Sequence, residues 1–321
     1  KKQKTGLLQI AGCTGSQKTH LAYALAEDGI RSLYVLSNEE RAKEVYEEYR
    51  FLDPDVYFYP ARDFLFYQAD IRGIFLTKQR MEVMRALLEE ERATVITTID
   101  ALMDAVDSLE AIRAKVFCME VGQTMDFEKL KETMVSMGYR REEQIEGPGQ
   151  FAVRGGILDF FPLTEDLPVR IEFWDDEIDS IRSFDTDTQR SVENMERITV
   201  FPAGEMSDDK DKVSFLSCFE REETLIFLDE PLRLSERGSE VEEEVRQAEE
   251  NRKNAEQTKA QSKREPICIF RIKDVIQELN LFPSIGFTAL EVKIKEFQMR
   301  AAYSIQAKNV NPYNSSFVVL T

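Results

Sequence analysis

Hydrophobic and polar positions alternate with a period of two around Phe151 to Arg154 and again from Val169 to Trp174, the signature of half-buried strands. With Phe151, Val153, Val169, Ile171 and Phe173 facing a core, Arg154, Arg170 and Trp174 stand on the opposite, wet face. Trp174 is the only tryptophan. A large aromatic flanked by arginines outside a core has the composition of a protein-binding hot spot. A tryptophan tucked under a neighbouring loop fits the same pattern, and the periodicity alone leaves both open. Gly155-Gly156 inside this stretch predicts a bulge or a close backbone approach, and Asp175-Asp176 a solvated turn.

Elsewhere the periodicity changes to alternating strands and helices. Leu7 to Ala11 predicts a buried strand, followed by the loop Gly12 to Thr19 and a helix over L-A-Y-A-L-A. Ser32 to Leu36 is a second strand, and Asn38 caps an amphipathic helix from Glu39 to Tyr49. Val56 to Tyr59 and Thr94 to Thr98 complete the strand set, with a helix over Lys78 to Leu88 between them and a short one from Asp100. Such alternation gives a parallel sheet. After Val116 the segments shorten, with one helix at Asp126 to Met137. From Asp208 a charged linker or helix start leads to the apolar strand Thr224 to Glu230. A largely solvated helix spans Ser235 to Lys263, with Val241, Val245, Ala248 and Ala255 on its thin apolar seam. Strand-like segments follow around Ile267 to Phe270, Ala289 to Ile294 and Phe317 to Leu320.

The expected organisation is therefore α/β, a parallel-sheet lobe with an α+β antiparallel-sheet domain inserted. The division falls at residues 1–115, 116–206 and 207–321. The chain starts without methionine and ends in what reads as mid-strand, so it is read as a piece of something longer.

Candidate chemistry lies in two places besides the Trp174 face. Strand, glycine loop and helix in that order are the context of a phosphate-binding P-loop, whose amides and helix N-terminus point at the anion. Gly12, Gly15, Lys18 and Thr19 fit G-x-x-x-x-G-K-T, but Gln17 stands where the second glycine belongs. A side chain there occupies the path of the phosphate, and a positive φ would add about 1–2 kcal/mol of strain. Asp229-Glu230 at a strand end resembles a Walker B pair. Without an intact loop, the two are read as relics. His20, just inside the helix, is read as a bystander.

Charge narrows the partners. The chain carries −18, and residues 116–206 hold −11 of it, with nine basic against twenty acidic groups. This argues against the middle segment tracking DNA and for a protein partner. Cys13, Cys118, Cys218 and Cys268 are scattered and His20 is the only histidine, so no zinc site, other metal or cofactor is expected. No apolar run approaches the roughly 18 residues of a membrane span, which with the reduced thiols favours a cytoplasmic protein.

The stretch F-A-V-R-G-G-I-L-D-F-F-P, followed by V-R-I-E-F-W-D-D-E-I-D-S-I-R-S-F-D and T-Q-R-S, resembles the UvrB-homology module of the bacterial transcription-repair coupling factors (Mfd). The resemblance implies a degenerate RecA-like, UvrB-like lobe and a middle module that recruits the repair ATPase UvrA to stalled RNA polymerase. Arg154, Arg170 and Trp174 match positions of that family's UvrA-contacting surface, where the family usually has Phe in place of Trp174. DNA and polymerase are implied as partners of other domains only. The alternative is an active UvrB-like ATPase that verifies DNA damage. UvrB places a long aromatic hairpin after the third strand, whereas here Tyr59-Pro60-Ala61-Arg62-Asp63 passes quickly on to the next helix, with Phe64, Phe66 and Tyr67 read as core.

Overall fold

The computed structural model describes residues 5–26, 30–62, 71–204, 211–256 and 268–306. Seven parallel strands form the larger sheet. From one edge to the other they run Met299–Ser304, Gly6–Ala11, Pro283–Thr288, Thr224–Asp229, Arg31–Leu36, Thr94–Thr98 and Val56–Tyr59. Alternate residues of the central strands point to opposite faces, and helices cover both, as a parallel sheet requires. Tyr34, Leu36, Phe58, Ile96, Phe227 and Phe287 pack under the Ser16–Ala26 and Glu39–Arg50 helices. Leu33, Val35, Tyr59, Val95, Ile226 and Leu228 pack under Ile71–Glu89, Ile99–Met103, Pro231–Glu256 and Ile272–Leu279. Asn38 caps its helix as expected, its side chain accepting from the Arg41 amide.

Between the Thr94–Thr98 and Thr224–Asp229 strands the chain builds a second, six-stranded sheet. Its order is Ser191–Met195, Glu177–Phe184, Val169–Trp174, Ile157–Phe160, Gln150–Arg154 and Arg140–Arg141. All its pairings are antiparallel except the last, which is parallel. Phe151, Leu158, Phe160, Val169, Ile171, Ile178 and Ile181 bury one face against the Phe127–Ser136 helix, whose N-cap is Asp126. Leu163 and Phe201 join the core of the parallel lobe, and Lys78 holds Asp166 at 2.9 Å, so the two sheets are packed together.

Several expectations are corrected. Gly155-Gly156 is a two-residue hairpin turn rather than a bulge, with Arg154 paired to Ile157 and Gly155 at φ 60°. The close approach is real: a Cβ at Gly156 would lie 3.0 Å from the Phe173 carbonyl. The register shift sits instead at Glu172/Phe173. In the last third, the strand expected over Ala289 to Ile294 lies earlier, at Pro283–Thr288, and the Ile272–Leu279 helix precedes it. Ile269 makes a single bridge to Asp104. Ala255 lies in the Pro231–Glu256 helix; Phe64, Phe66, Tyr67 and Phe317 to Leu320 lie outside the described residues. No described helix is long and apolar enough to cross a membrane.

Candidate functional site

The outer face of the six-stranded sheet is built by the Val169–Trp174/Glu177–Phe184 hairpin. Phe173 turns inward onto Phe127, ring centroids 4.8 Å apart, so its successor must turn outward. Asp175 at φ 57° and Asp176 close the hairpin at Trp174 and Glu177. Trp174 stands 81% exposed at that tip, which excludes the indole tucked under a loop.

Cross-strand register places Arg154, Ile157, Glu172 and Ser180 in one row, and Ala152, Asp159, Arg170 and Arg182 in the next. Arg154 and Arg170 therefore share the face, but in different states. Arg154 is exposed, its Nη2 donating to the Glu143 carbonyl at 3.3 Å. Arg170 is not a free cation. Its Nε and Nη2 donate to the two oxygens of Asp159 at 2.6 and 2.8 Å, Nη2 also donates to Gln189 Oε1 at 2.9 Å, and the guanidinium lies 4.5 Å from the Phe184 ring centroid. The hydrogen bonds to Asp159 hold its pKa above the ordinary arginine value. Asp159 is itself 4% exposed. Ile145 and Phe184 further cover Ala152, so part of the face expected to be wet is closed. Glu172 is likewise spent on Arg182, with one contact of 3.2 Å and a shorter one.

The phosphate-loop residues come together with the Asp229-Glu230 pair. Gly12 takes φ 88° and Gly15 φ 55°, and Gln17 and Lys18 enter the first turn of the Ser16–Ala26 helix. Gln17 needs no positive φ, so the strain considered from the sequence does not arise. Its Oε1 instead accepts from the Thr14 amide at 3.3 Å, occupying a donor of the loop. Lys18 is 7% exposed and its Nζ is ion-paired with both Asp229 and Glu230, the latter at 2.8 Å. Thr19 Oγ1 donates to Glu48 at 2.6 Å. Glu230, at φ 51°, also accepts from the Ala289 amide at 2.8 Å, and Pro231 then opens the next helix. The ammonium that a P-loop aims at phosphate is here neutralised from within. Among the described residues, no group of three His, Cys, Asp or Glu is placed to hold a metal ion. The four cysteines are free thiols, with Cys13 and Cys218 buried. His20 Nδ1 lies 2.9 Å from the Ser16 carbonyl on an exposed turn.

Comparison with known proteins decides between a generic sheet and a recognised one, because the UvrB interaction domain family matches residues 117–206. That segment is similar to UvrB interaction domains. It contains the whole six-stranded sheet and the Trp174 face. The chain is also similar to a transcription-repair-coupling factor of Bacillus subtilis (strain 168), 32% identical over 200 residues, 61% of this chain and 17% of the relative. Transcription-repair-coupling factors of Staphylococcus aureus give 31% over 199 residues (strain bovine RF122 / ET3-1) and 30% over 210 residues (strain USA300). These cover 61% and 64% of this chain, and 17% and 18% of the relatives. The resemblance read from the sequence stands, and the matched stretch spans about a sixth of the relatives' length.

Sequence reasoning missed Asp159, Gln189 and the Glu172–Arg182 pair. Asp159 was findable: read as a hairpin turn, Gly155-Gly156 sets a register that turns this carboxylate to the same face as Arg154.

Proposed function

We propose that this chain is the non-catalytic UvrB-homology region of a transcription-repair-coupling factor, and that its middle module, residues 116–206, recruits UvrA to a stalled RNA polymerase. The flanking segments form the lobe that carries it. The observation behind this reading is Trp174, an 81% exposed indole on a rigid two-residue hairpin, in a segment matched as a UvrB interaction domain. Its Phe173 neighbour is packed inward, so the indole is mounted on a fixed backbone and loses little freedom on binding. Arg154, two strands away on the same sheet and in register with Glu172, supplies a guanidinium for a carboxylate of the partner. Polymerase and DNA are engaged by other parts of the full protein, in the cytoplasm, and ATP turnover is not credited to this chain. The active UvrB-like ATPase is the second reading, and the ion-paired Lys18 speaks against it.

The test is the affinity of the chain for purified UvrA, measured with and without Trp174→Ala. Truncation of a hot-spot aromatic costs roughly 2–4 kcal/mol, about thirty-fold to nearly a thousand-fold. The expected result is such a loss with an unchanged melting temperature. Unchanged affinity in a normally folded variant overturns the assignment.

A further inference from the structure

The outer face carries more arginine than it can offer to a partner. Arg170 is spent on Asp159 and Gln189, and Arg182 on Glu172. Several arginines of this region remain exposed and form no ion pair among the described residues, and two of them flank this face: Arg154, and Arg190 in the turn between the Glu177–Phe184 and Ser191–Met195 strands.

That turn is unusually well pinned for an exposed loop. The Gln189 amide donates to the Asp185 carbonyl at 2.9 Å, and its Nε2 donates to the Thr186 carbonyl at 2.8 Å. Asp185 Oδ1 accepts from both the amide and the hydroxyl of Thr188 at 2.8 Å, which holds its carboxyl below the usual range. The Asp185 amide donates to the Arg190 carbonyl at 3.0 Å, and the Arg190 amide donates to Thr188 Oγ1 at 3.4 Å. Gln189 sits at φ 58°, a left-handed conformation that a side chain adopts only when its surroundings hold it there. What holds it from below is Arg170, through Gln189 Oε1. The buried Asp159 in turn fixes the Arg170 fork.

We infer that Arg190 is a second partner-facing cation of this surface, directed at a carboxylate of UvrA, and that Arg170 is a positioning residue that mounts it. The inference rests on the proposed docking function. Its physical basis is that a cation on a preorganised backbone forfeits less freedom on binding than one on a loose loop. It also places a positive charge on an otherwise acidic module.

The experiment measures UvrA affinity for Arg190→Glu, Arg190→Ala, Gln189→Ala and Trp174→Ala, with Lys129→Glu as an equal charge change on the helix that covers the opposite face of the sheet. Amide exchange across residues 185–190 is followed in each, together with melting. Arg190→Glu is expected to weaken binding about tenfold or more and Arg190→Ala by less, while Lys129→Glu leaves it unchanged. Gln189→Ala should speed exchange in the turn and weaken binding through it. Arg190 variants that melt normally and bind like Lys129→Glu overturn the inference. Trp174 separates the two claims: a loss there with none at Arg190 defeats only this inference, and no loss at either defeats the docking reading as well.

Discussion

Arg170 illustrates how a residue can stand on the expected side of a sheet and still act differently from expectation. Its parity with Trp174 was legible, because Val169, Ile171 and Phe173 alternate with it. Its partner was legible only in part: Gly155-Gly156 read as a turn gives the face of Asp159, but the carboxylate lies eleven residues from Arg170 across a second connection whose register the sequence left open. With a free fork, Arg170→Glu would leave folding intact. The structure reverses that expectation, since the substitution sets a second carboxylate against one that is 4% exposed. Removing one partner of a buried pair typically costs about 3–5 kcal/mol. Calorimetry should therefore find Arg170→Glu clearly less stable than the parent, whereas Trp174→Ala melts normally. An unchanged melting temperature for Arg170→Glu would mean that the Asp159 pair contributes nothing to stability. A loss of UvrA binding in that variant alone is thus no proof of contact.

Among elements, those that announce themselves are continuous runs of β-branched or aromatic residues. T-V-I-T-T at Thr94–Thr98 and V-Y-F-Y at Val56–Tyr59 are buried parallel strands with no breaker inside them, and they lie where the sequence puts them. Pro283–Thr288 is as buried as either, yet P-S-I-G-F-T carries two residues that argue against a central strand. Its glycine has a packing reason: a Cβ at Gly286 would meet Pro231 Cγ at 3.0 Å and Leu7 Cδ1 at 3.1 Å. Such a reason exists only in three dimensions. Gly238 makes the same point between helices, because a Cβ there would lie 2.2 Å from Ile272 Cδ1 and 2.9 Å from Ile272 Cβ. In an isolated helix Gly→Ala gains about 1 kcal/mol, but forcing a methyl into a packed contact costs about 1–3 kcal/mol. Gly238→Ala is therefore expected to be neutral to destabilising in the parent. In an Ile272→Ala background the two nearer atoms are gone and the penalty should shrink but not vanish, because the Cβ at position 272 stays 2.9 Å away. A clear gain in the parent would show that the helices part without cost.

At the scale of the whole molecule, a strand, loop and helix in the order of a P-loop are closed on themselves by an internal ion pair. Strand, loop and helix remain, and with them Lys18 and the Asp229-Glu230 pair from strands two apart in the sheet. The sequence suggested that Gln17 spoils the loop, and the structure adds the more decisive fact that the lysine is already neutralised. Two predictions follow from one geometry. Gln17→Gly alone should not restore ATP binding or turnover, since it opens the loop but leaves Lys18 held by two carboxylates. Lys18→Met, which in a working P-loop removes phosphate binding, should here lower stability, by about 3 kcal/mol, because it leaves Asp229 and Glu230 facing one another in a largely buried site. Nucleotide titration and chemical denaturation of both variants check the pair. ATP turnover in the parent that Lys18→Met abolishes without loss of stability would restore the motor reading. A destabilised Lys18→Met, with no nucleotide bound by either protein, would identify the loop as a structural clasp between the first strand and the helix that begins at Pro231.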